Sequence, residues 1–406
     1  MRPFDGRRIL LGVTGGIASY KSVMLARLLT QAGAEVDVVM TKGALEFVGA
    51  ITFEAVTGRR TYSEIFGPGN ALDHIRLARD AAVFVVAPAT ADFLARAAHG
   101  HADDLLSACL LANTSPVLLI PAMNDRMWGN SQTTRNVAHL RDLGYTVVDP
   151  DEGPLAVGEG SGPGRMPEQE EIVSHVARLL ENPKGLEGRK VVVTAGGTRE
   201  PIDPVRFISN HSTGRMGVAI AEAARRRGAE VILIAGHIEV GVPYGVRRVD
   251  GRTAAEMRDA VAAALPDADV LVMAAAPADF RPVRSASQKM KKTDGEKTPS
   301  VMELTRTDDI LESTINDRKP GSVVVGFALE TESLLENAAS KLSSKSLDMI
   351  VANSAVEEGS GFGGDTNRVV LLTAAGAREH IPLMKKSDLA DVILDRVEAL
   401  LDGRQG

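Results

Sequence analysis

The part of the chain richest in chemistry-bearing side chains is residues 194–217, TAGGTREPIDPVRFISNHSTGRMG. Its polar residues are of types that hold anions, and they include Arg199, Arg206, Asn210 and His211. Glycine lets a backbone approach a ligand closely, and a helix N-terminus favours negative charge. The pattern therefore predicts a cradle for a phosphate or a nucleotide. It is not a Walker A loop, because the G-x-x-x-x-G-K-S/T pattern is absent.

A second candidate site lies near the N-terminus, where residues 15–19 (GGIAS) separate an apolar run from an amphipathic stretch. Thr41 and residues 88–92 (PATAD) follow two further apolar runs. Small and hydroxyl side chains at three strand ends suit a flat cofactor with a phosphate tail, and a plain tight turn is the alternative. The G-x-G-x-x-G fingerprint of dinucleotide sites is not met.

Two more residues of the first half have both a chemical and a structural interpretation. His74 precedes the apolar run 82–88, and a lone histidine is more often structural than catalytic. Asn124 comes shortly after the apolar run 117–121. It is either a ligand-binding residue at the carboxyl edge of the predicted sheet or a residue that forms a turn. The histidines and aspartates of residues 99–104 match no strong metal-ligand spacing, so we interpret that segment as a loop.

The second half carries candidate cations and one candidate carboxylate. Lys341 and Lys345 are four residues apart, which places like charges on one helix face at a cost of about a few tenths of a kcal/mol. That face is either solvated or occupied by an anionic ligand. Lys289, in the basic segment 281–300, has the same two interpretations. Asp279 follows an apolar run and is a candidate for a ribose hydroxyl or a metal ion.

The scaffold for these residues follows from continuous apolar runs separated by amphipathic stretches, which predict parallel strands covered on both faces. The runs 8–16 (RILLGVTGG) and 190–197 (KVVVTAGG) are similar to each other. The helix predicted after each run ends in Gly-Ala-Glu-Val, at 33–36 and at 228–231. The chain is therefore predicted to be an α/β protein of two doubly wound, mainly parallel-sheet, flavodoxin- or Rossmann-like domains. The second domain closes with a C-terminal hairpin.

The domain boundary is predicted from proline and glycine. They cluster at residues 183–188, which gives a linker between a domain at 1–182 and a domain at 189–406. A second Gly/Pro-rich segment, residues 150–167, is either a linker or a mobile flap.

Composition excludes several classes of protein. The chain has 406 residues with 44% hydrophobic residues, enough for two or three domains. Aromatic residues at 4% and a net charge of −7 argue against nucleic-acid and anionic-membrane partners. The one cysteine, Cys109, rules out an intrachain disulfide and fits a reducing compartment. Without a signal peptide or an apolar run of about 20 residues, we expect a cytoplasmic protein.

A family resemblance is carried by motifs in both halves. Residues 194–217 resemble phosphopantothenate–cysteine ligase. Five first-half motifs resemble the flavin-dependent cysteine decarboxylases: GGIAxYK (15–21), DHIxLA (73–78), PATAD (88–92), PAMN (121–124) and GPGRM (162–166). Together, in this order, they are similar to the bacterial bifunctional phosphopantothenoylcysteine decarboxylase/phosphopantothenate–cysteine ligases of coenzyme A biosynthesis.

The resemblance implies an FMN-dependent decarboxylase in the first half. His74 would be its catalytic base, and Asn124 would hold the substrate carboxylate. The residues implied to bind FMN are those of one turn and two strand ends: Gly15, Gly16, Ile17, Ala18, Ser19, Thr41, Ala87, Pro88, Ala89 and Thr90.

For the second half, the resemblance implies a ligase that uses CTP with Mg2+ to join 4'-phosphopantothenate to cysteine through an acyl-cytidylate. Asn210 matches the family's residue for the acyl-intermediate step, and Lys289 matches its loop lysine. Asp279 would bind nucleotide or metal. The implied nucleotide-binding residues are Met273, Ala274, Ala275, Asp279, Lys289, Asp308, Asp309, Ile310, Leu311, Phe327, Lys341 and Lys345. Trimeric decarboxylase and dimeric ligase interfaces in the family imply a homo-oligomer, expected as a dodecamer.

One departure from the family concerns the flap. Many members carry a cysteine before GPGRM that donates the last proton of the reduction, whereas Val157 takes its place here and the spacing is one residue longer. Cys109 lies in an apolar helical stretch and is expected in the core. Glu159 is the nearest acid, provided that burial raises its pKa, and solvent is the alternative donor.

Two other kinds of protein have weaker support. A nicotinamide or flavin oxidoreductase fused to a regulatory nucleotide-binding domain is one, and the missing G-x-G-x-x-G pattern weighs against its nicotinamide form. A non-enzymatic flavoprotein scaffold is the other, and the presence of His74 and Asn124 weighs against it.

Overall fold

The chain forms two compact units, Met1–Asn182 and Pro183–Gly406. The computed structural model describes residues 3–67, 69–155, 157–158, 160–181, 185–290, 301–330, 332–354 and 363–404. Glu159 and residues 291–300, the latter within the basic segment singled out from sequence, lie outside the described residues. No helix in the described ranges is both long enough and apolar enough to cross a bilayer.

The first unit is built on a six-stranded parallel sheet in the order β3-β2-β1-β4-β5-β6. Its central strands are buried along nearly their whole length, as expected when helices cover both faces. The strands are β1 (Arg8–Val13), β2 (Glu35–Met40), β3 (Thr61–Tyr62), β4 (Val83–Ala89), β5 (Val117–Pro121) and β6 (Thr146–Val147).

Nine helices belong to the described part of this unit, several of which begin at a capping side chain. Thr41, Thr90 and Asp104 each accept a backbone N–H of the first turn that follows them. The helices are α1 (Ser19–Gln31), α2 (Lys42–Leu45), α3 (Ala50–Thr57), α4 (Asp73–Asp80), α5 (Ala91–His99), α6 (Leu105–Ala112), α7 (Asp125–Trp128), α8 (Ser131–Asp142) and α9 (Gln169–Leu180).

The Gly/Pro-rich segment 150–167 contains regular structure that the sequence did not indicate. It holds an antiparallel hairpin of β7 (Asp151–Pro154) and β8 (Ser161–Arg165). The interpretation of this segment as a linker is therefore wrong. Glycine and proline hide a hairpin from sequence reasoning because both are depleted in strands.

The second unit contains an eight-stranded sheet in the order β13-β12-β9-β14-β17-β18-β19-β20. Its first six positions are parallel, and β19 and β20 add the predicted antiparallel hairpin. In both units the six parallel strands follow the doubly wound order 3-2-1-4-5-6. The strands of this sheet are β9 (Lys190–Ala195), β12 (Glu230–Ala235), β13 (Arg247–Asp250), β14 (Val270–Met273), β17 (Val323–Glu330), β18 (Met349–Ser354), β19 (Thr366–Thr373) and β20 (Arg378–Lys385).

Two short antiparallel pairs lie in the connections of this unit, and the sequence predicted neither. They are β10 (Arg199–Pro201) with β11 (Phe207–Ser209), and β15 (Phe280–Pro282) with β16 (Leu304–Arg306). The helices are α10 (Arg215–Arg226), α11 (Ala254–Ala264), α12 (Ile310–Ser313), α13 (Leu334–Ser344) and α14 (Lys386–Asp402), with single 3-10 turns at Leu265–Asp267 and Ile315–Asp317.

The two faces of the second sheet are covered by different helices. On one face, Val191 and Val193 of β9 share a core with apolar residues of α10 and α14. On the other face, Val192 packs in a core with α11, α12 and α13. This separation follows from the alternation of side chains along a strand.

A buried ionic cluster joins α10 to α14. Asp391 accepts hydrogen bonds from both Arg226 and Arg227, and all three side chains are less than a tenth exposed. Arg227 also pairs with Asp395 at 2.8 Å and with Glu398 at 2.9 Å. Hydrogen bonding to three carboxylates outweighs burial, so the pKa of Arg227 is raised.

Candidate active sites

The first candidate site is the carboxyl edge of the first sheet, where the ends of β1, β2 and β4 converge. The Thr14 hydroxyl donates to Pro88 O at 2.8 Å and accepts from Thr90 N–H at 3.1 Å. Gly15 lies so close to the start of α2 that a Cβ there would come within 2.6 Å of the Gly43 carbonyl carbon. The structure thus brings the 15–19 turn, Thr41 and the 87–90 strand end together.

The hydroxyls at this edge differ in what they can offer a ligand. Thr41 and Thr90 accept a backbone N–H, which leaves the O–H of each available to donate to a phosphate oxygen. Ser19 is buried and donates its proton to Thr14 O or Gly16 O. The donor set therefore fits a phosphate-bearing cofactor, with the two threonines better suited than Ser19 to contact the phosphate.

His74 and Asn124 lie at the same edge. Crossover helix α4 runs antiparallel to the strands, so its first turn, which contains His74, is at the carboxyl end of the sheet. The Nδ1 atom of His74 is buried and has no hydrogen-bond partner within the described ranges. Asn124 is partly buried at the start of α7, where its Oδ1 accepts from Arg126 N–H at 2.9 Å. With Oδ1 used as an acceptor, the Nδ2 group is the part of Asn124 that can donate to a ligand.

The base of the flap hairpin is tied to this edge. Met123 N–H donates to Gly164 O at 3.0 Å, and a Cβ at Gly164 would lie 2.2 Å from Met123 O. Lys21 of α1 donates to Met166 O at 3.1 Å and pairs with Glu168 at 3.0 Å. The glycines of GPGRM thus permit a close approach of the hairpin to the residue before Asn124.

Two other expectations for the first unit can be compared with the structure. Cys109 is buried as expected, and burial raises the pKa of its thiol to about 12. In the 99–104 segment, which the sequence interpreted as a loop, Asp103 and Asp104 pair with Arg96. Val157, in the place of the family's flap cysteine, is fully exposed.

The second candidate site is a cavity of about 900 Å3 at the carboxyl edge of the second sheet. Lys289 is outside it, in an exposed stretch beside Met290. The cavity brings together the remaining residues predicted for the nucleotide and the acyl group: Asn210, Met273, Ala274, Ala275, Asp279, Asp308, Asp309, Ile310, Leu311, Phe327, Lys341 and Lys345.

Asn210 joins the 196–214 connection to the loop after β14. Its Nδ2 atom donates to Ala276 O at 3.2 Å and to Pro277 O at 3.0 Å. Two buried side chains anchor the same connection, since Thr198 accepts from Ala278 N–H and Glu200 accepts from Ala254 N–H. The long polar connection is thus a folded part of the site.

The segment before residue 291 is tied to the same connection by Asp203. Its carboxylate accepts from Arg206 at 2.5 Å and from Met290 N–H at 3.2 Å. The Arg206 guanidinium holds the pKa of Asp203 well below its usual range. Lys289 therefore directly precedes Met290, whose backbone N–H is held by Asp203. The role of Lys289 stays a prediction.

The two lysines predicted to share a helix face each have a carboxylate partner. Lys341 Nζ lies 2.6 Å from Glu330, and Lys345 Nζ lies 2.5 Å from Asp309. Lys345 directly follows the last residue of α13. The carboxylates offset the repulsion between the two ammonium groups, and both lysines still line the cavity.

The acidic side chains of the cavity do not form a ready metal site. Asp308 pairs with Arg258, and Asp309 pairs with Lys345 and caps α12. Asp279 is exposed at the cavity edge, and its backbone carbonyl accepts from Thr307 N–H. No cluster of three metal-ligating side chains is found in the part of the chain that the structure describes. A metal here would rely on nucleotide phosphates for ligands, as Mg2+ usually does.

Sequence reasoning missed a polar group at one side of the cavity. Arg215, Asn353, Asn367 and Lys386 all line it, and the last three are less than a tenth exposed. Arg215 belongs to the 194–217 block, so its position was a usable signal. The other three are isolated polar residues on distant elements, and nothing in their spacing indicates a shared site.

Fold and sites together define a two-unit α/β protein of the flavin- and nucleotide-binding class. Residues 2–181 match the family described as Flavoprotein, and residues 186–401 match the DNA/pantothenate metabolism flavoprotein C-terminal domain. The chain is 45% identical over 414 residues to the coenzyme A biosynthesis bifunctional protein CoaBC of Mycolicibacterium smegmatis, covering 98% of this chain and 99% of the relative. It belongs to the CoaBC family of bifunctional coenzyme A biosynthesis proteins, which confirms the family predicted from the motifs.

A further relative extends over nearly the whole chain, and a solved structure covers about half of it. The CoaBC protein of Bacillus subtilis is 43% identical over 403 residues, covering 98% of each chain. A crystal structure of the C-terminal domain of a CoaBC protein is 37% identical, with a TM-score of 0.46, and covers 54% of this chain and 99% of that domain.

Proposed function

We propose that this protein makes 4'-phosphopantetheine from 4'-phosphopantothenate and cysteine in two steps. Residues 189–406 carry out a CTP-dependent ligation, residues 1–182 an FMN-dependent decarboxylation, and 183–188 link them. The observation that carries the proposal is the 900 Å3 cavity, in which twelve of the residues predicted for the ligase come together. The full-length match to bifunctional CoaBC relatives supports both activities.

For the ligase, the substrate carboxylate attacks the α-phosphorus of CTP. A carboxyl O–P bond forms, the bond from the α-phosphorus to the bridging oxygen breaks, and pyrophosphate leaves with the electron pair. The cysteine amine then displaces CMP, forms the amide and gives up a proton. Asn210 would act in the acyl-intermediate step: two backbone carbonyls at the loop after β14 accept from its Nδ2 group, which leaves its Oδ1 to accept a hydrogen bond from a substrate. Lys341 and Lys345 neutralise phosphate charge, and Mg2+ accompanies the nucleotide.

For the decarboxylase, bound FMN supplies the two-electron oxidation of the thiol and the later return of the electrons. Gly15–Ser19, Thr41 and Ala87–Thr90 would hold it, with the two threonine hydroxyls free to donate. His74 takes the substrate proton, since its buried Nδ1 has no partner in the described residues. Asn124 binds the carboxylate that is lost as CO2. Glu159 or solvent supplies the last proton in place of the family's flap cysteine.

We also propose a homo-oligomer, expected as a dodecamer, and a cytoplasmic location where CTP and free cysteine are available. Exposed apolar side chains support association in each unit separately. Ile17 and Ile51 are 70% and 73% exposed in the first unit. Phe207 and Phe280, on the short strand pairs of the second unit, are each nearly half exposed. Light scattering that shows a monomer at micromolar concentration would contradict the oligomer.

One incubation tests the two activities. The purified protein is given 4'-phosphopantothenate, cysteine, Mg2+ and either CTP or ATP, and the products are identified by mass. We expect 4'-phosphopantetheine, CMP and pyrophosphate with CTP, and flavin absorbance from the protein itself. A protein without flavin that reduces or oxidises a nicotinamide would support the oxidoreductase alternative. Accumulation of the oxidised enethiol would show that the missing flap cysteine leaves the last reduction incomplete.

A further inference from the structure

Lys21 is the last residue of the motif GGIAxYK, and the proposed decarboxylation gives it no role. In many phosphate sites a lysine close to the glycine turn contacts the phosphate. Here the ammonium group has other partners. Lys21 Nζ donates to Met166 O at 3.1 Å and to the Glu168 carboxylate at 3.0 Å, and the lysine side chain is only 13% exposed. Two of its three N–H donors are therefore engaged at the end of the flap hairpin.

The two acceptors lie where the flap hairpin joins the body of the first unit. Met166 directly follows β8 and ends the motif GPGRM, and its side chain is buried in the core that includes residues of α1 and α9. Glu168 directly precedes α9, and its carboxylate accepts from Lys21 and, at 3.4 Å, from Arg165. Lys21 is the third residue of α1. It therefore connects the starts of two helices to the end of the hairpin.

Strand β8 is also the side of the hairpin that meets the proposed substrate site. Met123 N–H donates to Gly164 O at 3.0 Å, and a Cβ at Gly162 would lie 3.0 Å from Asp125 Cβ. These contacts involve the residues on both sides of Asn124, which is proposed to bind the substrate carboxylate. The anchored end of the hairpin therefore forms a wall beside Asn124.

The two hydrogen bonds of Lys21 differ in strength. The Glu168 side chain is 56% exposed, so water and salt screen the ion pair and it contributes little. Met166 is only 2% exposed, and a buried carbonyl that loses its donor bears the cost of its desolvation. The contact with Met166 O is therefore the main part of the anchor.

We propose that Lys21 is a positioning residue that holds the flap hairpin against the proposed substrate site, and that it is not a ligand of the FMN phosphate. It acts through Met166 O on β8, and through β8 on the wall beside Asn124. The effect on the reaction rate rests on the proposed decarboxylase function, whereas the anchoring is measured without it.

Hydrogen exchange of the full chain, followed by mass spectrometry, tests the anchor. Lys21→Met removes the charge and nearly keeps the length of the side chain. We expect the amides of residues 161–168 and of Met123 to exchange about 10- to 100-fold faster, the effect of losing a hydrogen bond from a charged donor. Arg27→Met, the matched control, changes an exposed cation on the same helix and exchanges like wild type.

Flavin content and decarboxylation separate an anchor from a cofactor ligand. We expect Lys21→Met to keep wild-type flavin absorbance, while kcat/KM for 4'-phosphopantothenoylcysteine falls about tenfold, because small misplacements near a reacting group are costly. Lys21→Arg keeps a charged donor and should recover part of the protection and part of the rate. Glu168→Gln removes only the screened ion pair, so it should change either quantity by less than about fivefold.

Two results would overturn the proposal. One is wild-type exchange in residues 161–168 of Lys21→Met, and the other is loss of flavin as its main effect, which would make Lys21 a cofactor ligand. If Lys21→Met loses protection throughout the first unit, Lys21→Gln, which keeps a neutral donor, replaces it in the same measurements.

The same experiments distinguish failure of this inference from failure of the decarboxylase. If wild type does not decarboxylate 4'-phosphopantothenoylcysteine, the proposed decarboxylase is refuted, while faster exchange confined to the hairpin still supports the anchor. If wild type is active and folded Lys21→Met decarboxylates at the same rate, only the positioning role of Lys21 is overturned.

Discussion

Replacement of Asn210 by aspartate exchanges the amide NH2 for an oxygen and abolishes two hydrogen bonds. The Nδ2 group donates to Ala276 O and Pro277 O, and a carboxylate oxygen in its place would face two carbonyl oxygens. At about 1 kcal/mol for each lost bond, about 2 kcal/mol of positioning energy disappears, which is roughly thirty-fold in rate. Repulsion between the carboxylate and the two carbonyls adds to this loss.

Two variants separate these contributions. Asn210→Ala removes the bonds without adding charge, so its ligation rate should fall by roughly thirty-fold. Asn210→Asp should fall further and leave ligation close to the background rate. Ligation is followed by release of pyrophosphate with CTP in excess. Decarboxylation is followed separately, with 4'-phosphopantothenoylcysteine supplied directly.

The decarboxylase rate is the internal control, because its proposed residues all lie in the other unit. We expect it to match wild type in both Asn210 variants, with unchanged flavin content. Equal loss of both half-reactions in a folded protein would refute the separation of the two sites. An Asn210→Asp variant that ligates at the wild-type rate would refute the role of the amide.

Three other perturbations have definite expected outcomes. Gly15→Ala places a Cβ 2.6 Å from the Gly43 carbonyl carbon, so we expect loss of flavin absorbance with ligation retained. A variant that still binds a full complement of flavin would contradict the proposed FMN site at residues 15–19. Cys109, with a thiol pKa raised to about 12, should resist Ellman's reagent at neutral pH and react only after denaturation. Asp391→Asn should destabilise the second unit by about 3–5 kcal/mol, because it breaks a buried charge cluster. Asp395→Asn should cost clearly less, because the Asp395 side chain is partly exposed. Chemical denaturation measures both free energies of unfolding, and equal effects would contradict the argument.

The parallel sheets were predictable because their strands are buried on both faces and therefore read as continuous apolar runs. The run Lys190–Ala195 illustrates this, since five of its six residues are buried. The positions of Thr41 and Thr90 at the edge of the first sheet were also predictable, because both directly follow such runs. The residue that directly follows a parallel strand lies at the carboxyl edge of the sheet, and this position does not depend on contacts elsewhere in the chain.

What sequence could not supply was the orientation of isolated polar side chains and the pairing of very short strands. Lys385 and Lys386 are identical neighbours, yet one is exposed and the other lines a cavity. In the pair of Arg199–Pro201 with Phe207–Ser209, each strand is three residues long, which is too short to show a periodic pattern. Their pairing is decided by tertiary contacts, as is the carboxylate partner of each cavity lysine.

The connection between β9 and α10 contributes to the stability of the second unit as well as to the wall of its cavity. In the first unit, the corresponding turn after β1 is only five residues long, from Thr14 to Ala18. In the second unit, the connection supplies Glu200 and Thr198 as acceptors for the N–H groups of Ala254 and Ala278. Deleting it would strand two buried donors at about 1–3 kcal/mol each. A variant with a shortened connection would therefore lose stability together with any ligand binding, so the effect of such a deletion on binding has to be measured beside its effect on unfolding.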